Sequence, residues 1–363
     1  MTIPSKKTIE EDLHTIHPQS TKHTSTKFTL DSRNNNANPT SYLKTPSTTT
    51  NASTSQEGKT FTFQSKLATK TSTPVEEKSA ISRIDSSISS KPIPYYMASL
   101  EKYLKNPYAG DEYFSKIFRE HFTQSFQALN FCKYLKPVDP KELAKKKVYL
   151  PKHEAYKGKI LNEYFFISID KKTIIFDLDE TLIHCNESAS MPCDVVLPIK
   201  FPHGDIIEAG INIRPYAIEC LEELSKYFEI IVFTASHSCY ANVVLDYLDP
   251  QNKYIHHRLF RENCVTTEEG LYIKDLRIFA NRNLKDMVIV DNAVYSFGYQ
   301  LDNGIPIVPF YYNKSDTELK TLTPYLKNLY SVRDVREVNT RSFKLHTFLE
   351  CDTQEEVIKK MFN

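Results

Sequence analysis

No charge of either sign predominates in this chain of 363 residues: 46 Lys and Arg stand against 45 Asp and Glu, a formal net charge of +1. That balance removes any global attraction to nucleic acid or to an anionic membrane, so electrostatic recognition has to be local. Long apolar runs are also missing. The longest, around Ile230–Ala235 and Met287–Val290, fall far short of the roughly 18–20 residues that cross a bilayer. Met1–Glu10 is polar and carries no apolar stretch of signal type, so neither membrane insertion nor secretion is expected. The seven cysteines (Cys132, Cys185, Cys193, Cys220, Cys239, Cys264 and Cys351) are odd in number and include no C-x-x-C pair. They read as reduced thiols of a cytosolic or nuclear compartment, not as a disulfide frame or a zinc site. Cys185, close to the motif described below, is read as a small packed side chain. Neither a Walker-type glycine loop nor a kinase catalytic loop occurs, which disfavours nucleotide chemistry.

Residues 1–92 form a segment of their own. Within the first 90 residues 34 are Ser or Thr, too few of them flanked by large apolar residues to offset the entropy of ordering. Disorder is therefore expected, as a phosphorylatable or targeting tail or as a plain linker. Residues 93–168 read as a helical extension. Met97, Leu100 and Leu104 recur at helical spacing. A longer stripe follows at Phe114, Phe118, Phe122, Phe126 and Leu129, with Asp111 as N-cap and Pro137 as the stop. An aromatic stripe of this kind packs on a neighbouring domain. Lys145–Lys147 reads as a solvated basic face.

From Lys171 the pattern changes to strands alternating with helices. Thr173–Phe176, Glu229–Phe233, Met287–Val290 and Ile305–Val308 are apolar runs of strand length. Helices are expected from Pro215 to Phe228 (with Ile218, Leu221 and Leu224 on one face), near Tyr240–Leu248, over Asp316–Tyr330 and over Gln354–Met361. This rhythm predicts an α/β fold: an open, Rossmann-like parallel sheet with helices on both faces, occupying residues 169–363. One stretch interrupts it. The 28 residues Asn186–Ile213 hold two β-like runs, Val195–Phe201 and Ile206–Ile213, joined by Pro202-His203-Gly204-Asp205. They predict a β-hairpin inserted after the first strand as a small cap. A second hairpin is expected over Cys264–Ile273.

Chemistry concentrates where strands stop. The first strand runs into Asp177-Leu178-Asp179-Glu180-Thr181-Leu182, and ligands of open α/β sheets bind beyond the C-terminal strand ends. A D-x-D-x-T string arises by chance in roughly one protein of this size in twenty, so alone it is only suggestive. However, Thr234-Ala235-Ser236 follows the second run, Asp291-Asn292 follows the third, and Lys274 leaves the second hairpin. Taken singly these are a helix N-cap, a turn and a surface lysine. Taken together they bring three carboxylates, a carboxamide, a hydroxyl and an ammonium to one crevice. Clustered carboxylates call for a divalent cation, and oxygen donors select Mg²⁺. The set suits phosphoryl transfer, most simply through a carboxylate nucleophile.

Asp177–Leu182 with Ile183-His184, Arg214-Pro215, Val232–Ser236, Arg258–Cys264, Tyr272–Leu276 and Val290–Asn292 together resemble the small C-terminal-domain phosphatases. These are protein phosphatases of the haloacid dehalogenase superfamily that act on the tail of RNA polymerase II and related phosphoproteins. The resemblance covers about Thr173–Tyr330. It implies Asp177 as nucleophile and Asp179 as general acid and base. It further implies Thr234 and Lys274 on the phosphoryl oxygens, and Mg²⁺ held by Asp177, the Asp179 carbonyl and Asn292, with Asp291 in support. Substrate contacts are implied for Thr181, Ser236, Tyr240 and Arg261.

Relatives usually continue Asp-Asn with Ser-Pro, whereas Ala293-Val294 stand here. The expected partner is a phosphoserine or phosphothreonine protein, with no direct contact to nucleic acid, in the nucleus or the cytoplasm. The small cap favours a protein substrate, because phosphatases of small metabolites enclose them under large lids. A phosphopeptide-binding scaffold and a metabolite phosphatase on the same fold are the alternatives.

Overall fold

Ten strands organise the computed structural model, which describes Tyr96 and residues 99–105, 112–151 and 171–362. They are β1 (Thr173–Phe176), β2 (Ile183–Cys185), β3 (Val195–Lys200), β4 (Ile206–Ile213), β5 (Glu229–Phe233), β6 (His257–Leu259), β7 (Val265–Thr266), β8 (Tyr272–Ile273), β9 (Met287–Asp291) and β10 (Gly304–Pro306). Every residue of β1, β5 and β9 is buried, which explains why these segments read as unbroken apolar runs and not as alternating ones. They form the middle of a five-stranded parallel sheet in the order β10-β9-β1-β5-β6. The chain winds outward from β1 through β5 to β6, then returns to the other side of β1 with β9 and β10. That reversal puts the switch point at β1.

Helices flank the sheet: α1 (Glu112–Cys132), α2 (Pro140–Lys145), α3 (Ala217–Ser225), α4 (Ser238–Leu248), α5 (Glu318–Asn328), α6 (Val335–Phe343), α7 (His346–Leu349) and α8 (Gln354–Phe362). The fold class is the α/β architecture expected. Several boundaries differ. The expected fourth strand over Ile305–Val308 is β10, three residues placed one position earlier. The helix expected from Pro215 begins at Ala217, and its buried face is Ala217, Cys220, Leu221 and Leu224, while Ile218 is 38% exposed. Helix α1 stops at Cys132, ahead of Pro137. Its stripe holds: Phe118, Phe122 and Leu129 are buried. Asp111, Met97 and the tail over 1–92 lie outside the described residues. Lys145 ends, and Lys146 and Lys147 follow, a short helix that Asp139 caps by accepting from the Lys141 amide at 2.8 Å.

The hairpin forms as expected. Strands β3 and β4 pair antiparallel over Val195↔Ile211 to Lys200↔Ile206, and Gly204 takes φ +104° in the turn, where a side chain would be strained. The cap is larger than the hairpin by one strand, because β2 pairs with β4 on the other side. The second hairpin is β7–β8.

Candidate active site

Parallel register decides what meets at the end of the sheet. Phe176 lies opposite Val232 on β5 and Val290 on β9, so the residues that follow leave the three strands at one level. Asp177 keeps its amide in the ladder, donating to the Val290 carbonyl at 2.9 Å, while its side chain stands off the sheet end. Lys274, just beyond β8, has its amide tied to the Ser296 carbonyl at 2.7 Å. Its Nζ donates to Asp177 Oδ1 at 2.5 Å and to Asp291 Oδ2 at 2.7 Å. All three groups are buried: Asp177 is 7% exposed, Lys274 2% and Asp291 0%.

Two carboxylates therefore share one ammonium in a dry site. Burial, then the neighbouring Asp291 carboxylate, raise the Asp177 carboxyl well above its ordinary range, against the pull of Lys274. Burial works against the Lys274 ammonium too, but the two carboxylates outweigh it and hold that group above its usual value. This corner is short of positive charge.

Asp179 is held differently. Its Oδ2 accepts from Ser236 Oγ at 2.7 Å and from Thr234 Oγ1 at 3.3 Å, and its Oδ1 accepts from the Tyr240 hydroxyl at 2.8 Å. Burial followed by the Asp179 charge raises the Tyr240 phenol well above its ordinary value, so it remains a donor. The chain can bring Asp177 and Asp179 to one place because it turns sharply after them. Glu180 has φ 56°, and the amides of Thr181, Leu182 and Ile183 all donate to the Leu178 carbonyl. Glu180 is anchored by Phe310, whose amide donates to its carbonyl at 2.8 Å.

Asn292 completes the cluster from the end of β9. Its Oδ1 accepts from Thr181 Oγ1 at 3.4 Å, and its backbone carbonyl meets His121 Nε2 of α1 at 2.9 Å. His121 is buried, which pushes its imidazole down to about 4. The ring is therefore neutral, and since a carbonyl only accepts, Nε2 carries the hydrogen.

The structure brings together Asp177, Asp179, Thr234, Ser236, Tyr240, Lys274 and Asp291, with Asn292 and Thr181 alongside. It changes the reading of three residues. Thr181, expected to touch substrate, is fully buried and turns its hydroxyl to Asn292. Asp291, expected beside the metal, has both oxygens engaged by protein donors: the Ala293 amide on Oδ1, Lys274 and Ser296 Oγ on Oδ2. It thus positions the lysine. The Arg261 amide donates to the Ser236 carbonyl at 3.1 Å, but its side chain turns away from the cluster. Its Nε donates to the Ala235 carbonyl at 2.6 Å, and its guanidinium lies 5.0 Å from the Tyr272 ring centre. Cys185 is half-buried, with its thiol pushed up to about 11 by burial and the Asp179 charge, in keeping with an inert packed side chain.

Sequence reasoning gave no role to three supporting groups, although it marked Arg214-Pro215 among the motifs of the resemblance. Arg214 is fully buried and makes four hydrogen bonds to three residues: Asp316 through Nε and Nη2 (3.1 and 2.9 Å), the Thr181 carbonyl and the Val308 carbonyl. An arginine between a strand and a helix was the available signal. Ser296 and His121 carried none, because each acts through a contact distant in the chain.

Among the described residues no three His, Cys, Asp or Glu side chains gather as a metal cluster. The donors that the resemblance implies are the Asp177 carboxylate, the Asn292 carboxamide and the Asp179 carbonyl. A set of few hard oxygens beside a negative surplus fits Mg²⁺, which keeps several waters and takes one or two carboxylates.

The region that holds this site is similar to known proteins. The family model described as NLI interacting factor-like phosphatase matches residues 172–336. CTD small phosphatase-like protein 3 of Caenorhabditis elegans is 42% identical over 179 residues, covering 49% of this chain and 61% of that protein. The human carboxy-terminal domain RNA polymerase II polypeptide A small phosphatase 1 is 37% identical over 169 residues, covering 47% and 63%. For these two the match takes in less than two thirds of the relative's own length. CTD nuclear envelope phosphatase 1 of Xenopus tropicalis is 34% identical over 186 residues, covering 49% of this chain and 75% of the relative. A solved structure described as Fcp1, an essential RNA polymerase II CTD phosphatase, aligns over 52% of either chain at 19% identity with a TM-score of 0.34.

Proposed function

The chain belongs to the family of NLI interacting factor-like phosphatases, and from that premise we propose that it is a protein serine/threonine phosphatase working through an aspartyl-phosphate. The observation that carries this reading is the Lys274 ammonium held 2.5 Å from Asp177 at the switch point of the sheet. It keeps the nucleophile fixed and offsets charge that accumulates on the phosphoryl group.

In the first step an Asp177 oxygen attacks phosphorus in line. The bond from phosphorus to the serine or threonine oxygen breaks, and that oxygen takes the proton of Asp179, which enters this step as the carboxylic acid and leaves it as the carboxylate. In the second step Asp179 removes a proton from water as the water oxygen attacks phosphorus, releasing inorganic phosphate and restoring the Asp177 carboxylate. Hydroxyls of Ser236, Tyr240 and Thr234 aim Asp179 before substrate arrives, which is how a carboxyl group is kept in register for proton transfer. Thr234 and Lys274 then meet the phosphoryl oxygens. Asp177, the Asp179 carbonyl and Asn292 would hold Mg²⁺, which when bound supplies positive charge where this corner lacks it.

The cap formed by β2, β3 and β4 is three short strands. So small a flap leaves room for a protein segment, and a phosphorylated tail such as the one named for the human relative falls within that class. No described helix is long and apolar enough to cross a membrane; nuclear or cytoplasmic residence accords with the composition.

Leaving-group chemistry tests the assignment of Asp179. Asp179→Asn should slow hydrolysis of a phosphoserine peptide by about 10²-fold or more, yet slow an aryl phosphate far less, because a phenol departs with less help from an acid. Initial rates of phosphate release on both substrates, with Mg²⁺ present, read this directly. Equal losses would make Asp179 a structural residue.

A further inference from the structure

We propose that His121, carried by helix α1 outside the matched phosphatase region, is a positioning residue for Asn292, so that the N-terminal extension sets the affinity of the site for Mg²⁺. The inference rests on the reading of Asn292 as a metal-holding group. Its basis is the direct contact: His121 Nε2 donates to the Asn292 carbonyl at 2.9 Å, across 171 positions of sequence, from a ring that is 3% exposed. A backbone hydrogen bond at the residue whose side chain faces a metal fixes the direction from which that side chain projects.

The contact is one point of a larger clamp. The turn Val294–Phe297 packs against α1 and continues into Gly298, where an added Cβ would stand 2.7 Å from Cys132 Sγ and 2.9 Å from Leu135 Cδ1. The Cys132 and Leu135 side chains thus fill the space beside the turn, and a larger residue at 298 would have to displace them. The same turn supplies Ser296, whose hydroxyl donates to Asp291 and whose carbonyl accepts the Lys274 amide. Residues 291–298 are therefore one unit. They hold the carboxamide, the lysine and its second carboxylate, and α1 covers them.

The helix is itself fixed from behind. Phe122 stacks against Phe348 of α7 at 5.5 Å between ring centres, and Lys133 Nζ donates to the Cys351 carbonyl at 3.3 Å. Thr123 donates to Gln354 of α8 at 3.4 Å. Both partner helices follow residue 336, where the family match ends. Segments on either side of the matched region thus meet and press on the Asn292 turn.

The test uses the full chain and Mg²⁺ alone. Calorimetric titration of the metal into the protein gives a dissociation constant without reference to turnover, and the thermal midpoint of the metal-free protein reports structure. His121→Leu removes the donor and should weaken Mg²⁺ binding about 10-fold or more, the usual scale for groups that orient metal ligands. His121→Gln returns an N–H near the Nε2 position and should recover most of that loss. Leu326→Ala opens a cavity in the buried face of α5, outside this clamp; it should lower the midpoint while leaving the Mg²⁺ constant within a few-fold of the parent. Equal Mg²⁺ binding in His121→Leu and the parent, or equal losses in all three variants, would overturn the proposal while leaving the phosphatase reading intact. Absence of Mg²⁺ binding by the parent chain would overturn the reading of the site itself, and this inference with it.

Discussion

The parallel sheet carries one buried charge cluster at each end of its strands, and the two clusters solve opposite problems. At the N-terminal end Glu229 accepts from Thr173 Oγ1 at 2.8 Å and from Arg282 at 2.6 and 2.9 Å, with His257 Nε2 at 3.2 Å. One carboxylate is surrounded by donors. Burial alone would raise its pKa, but the hydrogen bonds from His257, Arg282 and Thr173 outweigh it and bring the group down to about 2. At the C-terminal end the ratio is reversed. Asp177 and Asp291 divide one lysine, Asp179 stands near, and the Asp177 carboxyl is driven up. The first cluster is closed and stabilises the fold. The second leaves negative charge undercompensated in a buried place, which a proton, a cation or an electrophile relieves.

Breaking each end should have crossed effects. Asp177→Asn removes the nucleophile together with the surplus charge; phosphate release should fall by at least about 10³-fold, while the thermal midpoint stays the same or rises. Lys274→Met should cost about 10²–10³-fold in kcat, the scale for losing one donor to a charged transition state. At the closed end, Arg282→Leu should leave kcat unchanged and destabilise the fold by about 3 kcal/mol in urea titration, because Glu229 keeps its charge and loses its best partner. A large kcat effect from Arg282→Leu would merge the two ends into one network.

The smallest effect is one of pH. Glu229 has a folded-state pKa below its unfolded value of 4.5, so its contribution is present above about 4.5 and is lost as pH falls toward about 2. Urea midpoints measured across that window should decline for the parent chain. Glu229→Gln, already weaker at neutral pH, should show a shallower decline. Parallel slopes would remove Glu229 from the explanation.

Both ends were only partly legible in the sequence. Strands β1, β5 and β9 announced themselves because burial on both faces makes them continuous apolar runs, and the residues after them followed from strand polarity alone. Strand β6 did not. His257-Arg258-Leu259 is three residues at a sheet edge with two polar side chains half-exposed, too short for any period to register. The Thr173–Glu229–Arg282 cluster was invisible for a different reason: a strand's first residues carry no signal of which charges will be buried beside them. Thr181 read as a substrate contact because the resemblance implies it, whereas the tight turn after Leu178 leaves it fully buried. His121 could not be read from its own helix, since the stripe of Phe118 and Phe122 explains the face and the ring's partner lies 171 positions away.

The covalent step is the most direct point of attack. The full chain is quenched during turnover of a phosphoserine peptide, treated with borohydride to reduce any acyl phosphate to the alcohol, and mapped by peptide mass spectrometry. The expected result is homoserine at position 177 and nowhere else, absent when Mg²⁺ is withheld. Homoserine at another aspartate, or undiminished turnover with position 177 unmodified, would contradict an Asp177 nucleophile poised against Lys274.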